Sequence, residues 1–141
     1  APIILNLNFM RKVYIALGSI ALLIGGCVTL VFSLTAGLPA AADDFFMAAS
    51  QGDMEQAYSL TAMGFQDEIS LPALVNFLDY TGLDDYESAS WYNRGFENEW
   101  GYLEGTVTTN RGEAVPLYLD LLKEEGTWKI YYIELLAPDF E

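Results

Sequence analysis

The sequence predicts an α+β domain that follows a single transmembrane helix, and three features of the 141-residue chain lead to this prediction. A long apolar stretch without charge lies near the start of the chain. Segments with the apolar spacing of helices follow it as far as Gly82. From Tyr86 onward, alternating and β-branched residues are typical of strands. Because one domain usually takes about 100 to 200 residues, there is room for one folded unit beside the membrane segment.

The membrane prediction rests on the stretch from Val13 to Ala36, which has 24 residues and no charged side chain. At about 1.5 Å per residue such a helix reaches roughly 36 Å, enough to cross a hydrocarbon core of about 30 Å. Arg11 and Lys12 directly precede the stretch, so the positive-inside rule places the N-terminus in the cytoplasm. We therefore predict a cytoplasmic segment over residues 1–12, a span of the cell membrane over 13–37, and an extracytoplasmic domain over 38–141.

Two processing signals are alternatives to an uncleaved anchor. Leu23 to Cys27 resembles a bacterial lipoprotein cleavage box, with Cys27 as the lipidated residue, and Ala40 to Ala42 resembles the end of a secretory signal. Met10, which two basic residues follow, is an alternative start of translation. The apolar stretch continues beyond Cys27 and is longer than the roughly 7 to 15 residues of a signal core, so we favour the uncleaved anchor.

Small residues form one face of the predicted span, where Gly18, Ala21 and Gly25 recur at helical spacing. Small side chains let a second helix approach closely, so this face predicts packing against other transmembrane subunits. A lone anchor in the lipid bilayer is the alternative, because small residues are frequent in membrane helices.

The predicted outer domain is strongly acidic. From Asp43 onward the chain has 20 acidic against 4 basic side chains, hence a net charge of −16 there. Such a surface repels phosphate backbones, and the four basic residues are too scattered to form a stripe, so nucleic acid is excluded as a partner. The acidity fits a basic protein partner, but solubility in salt explains it more simply.

Histidine is absent and Cys27 is the single cysteine, which excludes Ser-His-Asp or Cys-His catalysis and the usual zinc sites. Most acidic residues occur in turn-like or clustered positions, which predicts solvated carboxylates rather than a buried acid with a shifted pKa. Asp84, Asp85 and Glu87 lack the repeated ligands and the turn glycine of an EF-hand loop. We expect no catalytic residue, metal site or cofactor, and we do not expect an enzyme.

Two helices are predicted in the first part of the domain. The first follows a turn at residues 37–39 and ends at Gly52. Asp53 and Gln56 approximate a capping box at the start of the second helix, which Gly64 ends.

A third helix and a sheet follow. Ser70 is a good N-cap, Pro72 is tolerated in a first turn, and Gly82 ends the helix. Strands that pair antiparallel are predicted over residues 87–94, 100–109, 115–121 and 128–135. Pro116 indicates an edge strand or a bulge, because proline cannot donate a ladder hydrogen bond. About three helices would then cover one face of a curved sheet of three to four strands.

This order, from about Ala41 to Leu135, resembles the NTF2-like, or cystatin-like, superfamily. The resemblance rests on the segments FFMAASQGDMEQAYSLT, SLPALVNFL and GEAVPLYLDLLKEEGTWKIYYIEL. The chain is similar in particular to small bacterial members of unassigned function that are membrane-anchored or exported. For such members the resemblance implies an inner-membrane protein with a periplasmic domain.

The resemblance also implies a cone-shaped pocket between helices and sheet, in which enzymatic members use acid/base residues such as Asp, His and Tyr. The aromatic candidates for lining such a pocket are Tyr58, Trp91, Trp100, Tyr102, Trp128 and Tyr132. Aromatic residues on a half-buried sheet are more often part of the core.

These features favour a single-pass accessory subunit of a larger membrane protein complex, whose acidic outer domain makes protein–protein contacts. The alternative is a membrane-tethered domain that binds or transforms a small apolar ligand in the cone.

The orientation leads to a first prediction. Protease added to the outer face of intact cells or spheroplasts should remove the domain from Ala40 onward, because the only basic flank of the span is Arg11 with Lys12. Mass analysis of the protected fragment measures this. Digestion from the cytoplasmic side alone would contradict the predicted orientation.

Overall fold

The computed structural model describes residues 35–137. Residues 13–34 of the predicted span, with Cys27 and the face formed by Gly18, Ala21 and Gly25, lie outside this part of the chain. Among the described residues, no helix is long and apolar enough to span a membrane.

Within the described part of the chain, four α-helices precede a four-stranded sheet. The helices are α1 (Gly37–Ser50), α2 (Met54–Ser59), α3 (Met63–Glu68) and α4 (Leu71–Thr81), and one 3-10 turn covers Leu83–Asp85. The strands are β1 (Tyr86–Glu97), β2 (Trp100–Thr109), β3 (Ala114–Glu124) and β4 (Thr127–Leu135). The strands lie in sequence order and each neighbouring pair is antiparallel. The α+β class and the antiparallel sheet are confirmed, with four helices where about three were predicted.

Helix α1 begins earlier than predicted. The turn expected at residues 37–39 is wrong, because these residues form the first turn of α1. Pro39 is tolerated there, since the first N–H groups of a helix have no intrahelical partner. Leu38 is fully buried, so packing against the rest of the domain holds this turn in place.

The segment predicted as one second helix consists of two short helices. Asp53 caps α2 as predicted, because the backbone N–H of Gln56 donates to its Oδ1 at 3.2 Å. Helix α2 nevertheless ends at Ser59, before the expected end at Gly64. Gly64 lies inside α3, where a Cβ atom would come within 2.8 Å of the Tyr131 ring. A close approach, not a helix end, explains this glycine.

The segment between α2 and α3 pairs with the edge of the sheet. The N–H of Ile130 donates to the carbonyl oxygen of Leu60 at 3.0 Å, and the N–H of Ala62 donates to that of Ile130 at 2.8 Å. Thr61 thus lies beside Ile130 in parallel orientation. These hydrogen bonds satisfy backbone groups that a continuing helix would have used, and the chain leaves the helix here.

Helix α4 has the predicted ends. The backbone N–H of Ala73 donates to the Ser70 hydroxyl oxygen at 3.3 Å, and Gly82 terminates the helix with a φ of 79°. Leu74 and Leu78, one turn apart, are both buried. Local capping signals and apolar spacing were enough to predict this helix.

The core lies between the helices and the inner face of the sheet. Alternate residues of β2 and β3 point inward and are fully buried, namely Leu103, Val107, Leu117, Leu119 and Leu121. Helix α1 contributes Phe45 and Phe46, whose rings meet edge to face at 5.1 Å. Phe46 also stacks on Tyr86, and the Tyr86 hydroxyl donates to Asp43 Oδ1 at 2.6 Å. Helix α1 is therefore fixed to β1 by an apolar and a polar contact.

Bulges curve the outer strands. The register of β1 shifts between Tyr86 and Ser88 and between Trp91 and Asn93, and β4 has one extra residue, Tyr131. An extra residue bends a strand and increases its twist. The sheet therefore wraps around the helices.

Pro116 lies neither on an edge strand nor at a bulge, which corrects the prediction. It pairs with Thr106 within the regular register of β2 and β3. Its carbonyl oxygen accepts a hydrogen bond from the N–H of Leu136 at 3.0 Å. Because the N and C=O of a strand residue point to the same side in an antiparallel pair, the Pro116 nitrogen also faces the β4 side. Strand β4 ends at Leu135, before this position. Proline is tolerated because no strand partner needs its missing N–H.

Gly105 lies at a close approach of β1 and β2, and it leads to a second prediction. A Cβ atom there would collide with the carbonyl oxygen of Ser90 and lie 2.8 Å from the Cα of Trp91. Backbone atoms cannot move aside cheaply, so Gly105→Ala should lower the free energy of unfolding by about 3 kcal/mol. Urea denaturation measures this. Thr106→Ala on the same strand is the control and should cost less than about 1 kcal/mol; equal effects would contradict the close approach.

Candidate functional site

An open cleft lies between α3, α4 and the second half of β4, with a volume of about 520 Å³. Apolar side chains form most of its walls, among them Phe65, Ile69, Leu74, Phe77 and Ile133. The volume falls within the range of roughly 300 to 1,000 Å³ that is typical of ligand sites.

Helical spacing and one tyrosine position these walls. Leu74 and Phe77 lie three residues apart on α4, so their side chains share one face. The hydroxyl of Tyr58 donates to the carbonyl oxygen of Ile69 at 2.7 Å and lies 3.3 Å from that of Gln66. These carbonyls at the end of α3 have no intrahelical partner, so Tyr58 satisfies them and holds Ile69 in the wall.

The polar groups of the cleft suit binding better than proton transfer. Glu68 is the one carboxylate among the wall residues, and it is exposed to solvent. Tyr131 and Tyr132 also line the cleft, and both residues are more than a third exposed. A general acid or base is usually shifted in pKa by burial or by neighbouring charges. Within residues 35–137, no group of three His, Cys, Asp or Glu side chains could hold a metal ion.

Three of the six aromatic candidates lie in or beside the cleft. Tyr132 lines the cleft from β4, while its pairing with Asp120 places its side chain on the face of the sheet away from the helices. Tyr58 is not a wall residue, but its hydroxyl holds the wall residue Ile69 through the hydrogen bond to the Ile69 carbonyl oxygen. Trp100 is 46% exposed and meets the ring of Tyr131 edge to face at 4.8 Å, so it extends the aromatic surface beyond the cleft.

The other three candidates lie elsewhere. Trp91 packs against the core beside Gly105. Trp128 packs against the core beside Gly37 and Gly101, and the Nζ of Lys123 stands 5.5 Å from its ring centroid. Tyr102 lies on the outer face of the sheet, the face away from the helices. The structure therefore does not bring the six together in one pocket.

Sequence reasoning missed the apolar walls on α3 and α4. Phe65 and Ile69 lie four residues apart, which is a helical signal, but reading Gly64 as a helix end hid α3. Phe77 continues the apolar stripe of α4 three residues after Leu74. These signals were present in the sequence, whereas the meeting of α3, α4 and β4 depends on contacts between distant residues.

The outer face of the sheet carries tyrosines that alternate with carboxylates. We call this set the checkerboard; its two cross-strand rows are Tyr102, Asp120 and Tyr132, and Glu104, Tyr118 and Glu134. Neither row contains a basic side chain. The Tyr118 hydroxyl donates to Asp120 Oδ1 at 2.7 Å, and the rings of Tyr102 and Tyr118 stack at 6.2 Å. The result is an acidic, aromatic surface that reaches from β2 to the edge strand β4.

Tyr118 leads to a third prediction. Desolvation and the hydrogen bond to Asp120 favour the neutral phenol and raise the pKa of Tyr118 to about 12. The stability from this neutral pair is present below the ordinary tyrosine pKa of about 10 and is lost as pH rises through about 12. Tyr86 also ionises late, because burial and its hydrogen bond to Asp43 raise its pKa. In a titration of tyrosinate absorbance, Tyr118→Phe should therefore reduce the late-ionising phase by one group, and Asp120→Asn should shift one group to lower pH. An unchanged late phase in Tyr118→Phe would contradict this assignment.

The domain is similar to several proteins of known structure. An NTF2-like protein of unknown function from Shewanella oneidensis MR-1 matches with a TM-score of 0.55 and 15% identity, over 71% of this chain and 96% of that one. A protein of unknown function with a cystatin-like fold from Nostoc punctiforme matches with a TM-score of 0.52 and 16% identity, over 73% and 91%. A SEC-C motif containing protein from Rhodopseudomonas palustris matches with a TM-score of 0.53 and 14% identity, over 65% and 73%.

No protein-family model matches the chain, and no curated protein matches it significantly. These three structural matches have low sequence identity, so they bear on the fold alone. The described part of the chain has the NTF2-like, or cystatin-like, fold.

Proposed function

We propose that this chain is an accessory subunit of a larger membrane protein complex, and that its folded domain binds an apolar part of a partner protein in the cleft. The observation that carries the proposal is the open apolar cleft between α3, α4 and β4. Its association with the membrane rests on the predicted span over residues 13–37.

Exposed apolar side chains around the cleft support a protein partner. Met63 is 71% exposed at the start of α3, next to Gly64, which lies against the Tyr131 ring, and this ring in turn meets that of Trp100. Contiguous exposed apolar surface of this kind marks interaction sites, and aromatic residues are enriched in them. A small ligand enclosed in the cleft would leave this surrounding surface uncovered.

Charge supports a basic partner. Glu68 lies in the wall of the cleft, and Glu134 of the checkerboard lies on the neighbouring strand β4. Opposite charges across an interface speed association and exclude like-charged competitors. The net charge of −14 of the chain has the same sign.

A small apolar ligand in the same cleft is the second candidate function. The volume of about 520 Å³ and the aliphatic and aromatic walls favour it. The exposure of Glu68 supports binding of such a ligand rather than its transformation.

The fourth prediction separates the two candidates. Gentle detergent extraction should recover the chain with stoichiometric membrane partners, and Ala73→Trp should weaken this recovery because the new ring fills the cleft. Asn76→Trp, on the same helix but outside the walls, is the matched control and should leave recovery unchanged. Gly25→Leu reports separately on the predicted span, since a bulky side chain holds helix backbones apart. Quantitative mass spectrometry of the extracts measures all three variants.

Two outcomes would contradict the accessory-subunit proposal. One is extraction of the chain as a free monomer, with no effect of either Ala73→Trp or Gly25→Leu. The other is a rise in melting temperature with a small apolar ligand that Ala73→Trp abolishes, while no protein is recovered. The second outcome would establish the small-ligand function instead.

A further inference from the structure

Among residues 35–137, β4 has one edge without a strand partner, and this free edge forms one side of the cleft. β4 is the last strand of the sheet and has a strand neighbour, β3, on one side. In an antiparallel pair, successive residues alternate between bonding to the neighbour and pointing away from it. Because the N–H of Leu136 donates to Pro116 on β3, this alternation directs the backbone groups of Ile133 and Leu135 away from the sheet. Ile133 is also a wall residue of the cleft.

The chain already uses the first half of the same edge. Residues 60–62 pair with Ile130 in parallel orientation through two backbone hydrogen bonds of 3.0 and 2.8 Å. The chain then turns into α3 at Met63 and leaves the edge. The edge therefore has the geometry to accept a strand, and its own segment stops where the cleft begins.

We propose that an extended segment of a partner protein adds to β4 as a strand at Ile133 and Leu135, with apolar and basic side chains in alternation. This inference rests on the proposed function, because it states how the partner occupies the same cleft. The backbone of the segment pairs with the edge, and its side chains point alternately to the two faces of the sheet.

The inner-facing side chains of the added strand are apolar. Ile133 and Leu135 pair with Leu119 and Leu117 on the inner face, so a neighbouring strand continues this face toward α4. A side chain there enters the cleft next to Phe77 and the other apolar walls. Burying each such side chain supplies the apolar part of the affinity.

The outer-facing side chains are basic. Tyr132 and Glu134 are the last members of the two checkerboard rows, and an added strand places its own residues next in each row. In one row, a Lys or Arg of the added strand lies beside the Glu134 carboxylate. In the other row, a Lys or Arg lies over the side chain of Tyr132, which is 47% exposed. Ion pairing and cation–π attraction both favour a basic residue at these positions.

The fifth prediction tests this mode with the full-length chain in detergent and a labelled synthetic peptide of alternating Val and Lys. In a strand, the N–H groups of one residue set face the edge and those of the other set face solvent. Methylating the backbone nitrogens of one set should weaken binding at least about tenfold, and methylating the other set should leave it within about threefold. The residue set whose methylation weakens binding also shows the direction of the added strand. In antiparallel addition the residues that bond to the edge have inner-facing side chains, and in parallel addition they have outer-facing ones. Fluorescence anisotropy measures the affinities.

Protein variants supply matched controls. Leu135→Pro removes one N–H at the free edge and should weaken peptide binding about tenfold, whereas Leu135→Ala keeps this N–H and should weaken it less. Glu134→Gln should reduce both the affinity and its dependence on salt. A peptide of the same composition with Val and Lys in pairs lacks the period of two and should bind more weakly. Circular dichroism checks that each variant is folded.

The outcomes distinguish a failure of the strand-addition inference from a failure of the proposed protein-binding function. If Ala73→Trp blocks the peptide but both methylated peptides bind equally, strand addition is wrong while the cleft remains a protein-binding site. Binding that survives Ala73→Trp reflects surface charge alone and also overturns the inference. If no peptide binds and a small apolar compound does, the inference and the proposed protein partner both fail.

Discussion

The burial of α1 on the inner face of the sheet is the constraint on which the rest of the structure depends. Leu38, Phe45 and Phe46 are fully buried there, and each contributes about 1.5 to 3 kcal/mol by leaving water. Tyr86 orients α1 on the sheet, because its ring stacks on Phe46 while its hydroxyl donates a hydrogen bond to Asp43. Since these rings fill the centre of the cone between helices and sheet, the open cleft lies at its margin, against β4.

Features set by a few neighbouring residues could be predicted from the sequence. The caps at Asp53 and Ser70 and the end at Gly82 each depend on side chains or glycine geometry within one turn of a helix. The division of the second helix could not be predicted, because it depends on pairing between residues 60–62 and Ile130, nearly half a chain away. A Gly64 that admits the Tyr131 ring has the same sequence signature as a helix end.

The site was harder to predict than the fold for a related reason. Aromatic composition picked out six residues, but strand register decides which face each one takes, and a shift of one residue reverses it. The extra residue Tyr131 makes such a shift within β4, which places Tyr132 opposite Asp120 on the outer face. Glu104, Tyr118 and Glu134 lie on three different strands, and only the register aligns them into one row.

An exposed strand edge is an aggregation hazard, and the two halves of this edge are protected in different ways. Residues 60–62 cover the first half with hydrogen bonds. The second half carries Glu134, so two copies of the chain that paired through β4 would bring like charges together on the outer face. Like charges on paired strands oppose association, and the acidity of the whole domain adds to this repulsion. The same carboxylate favours a segment with a basic residue at that position, so a single side chain disfavours the wrong partner and attracts the proposed one.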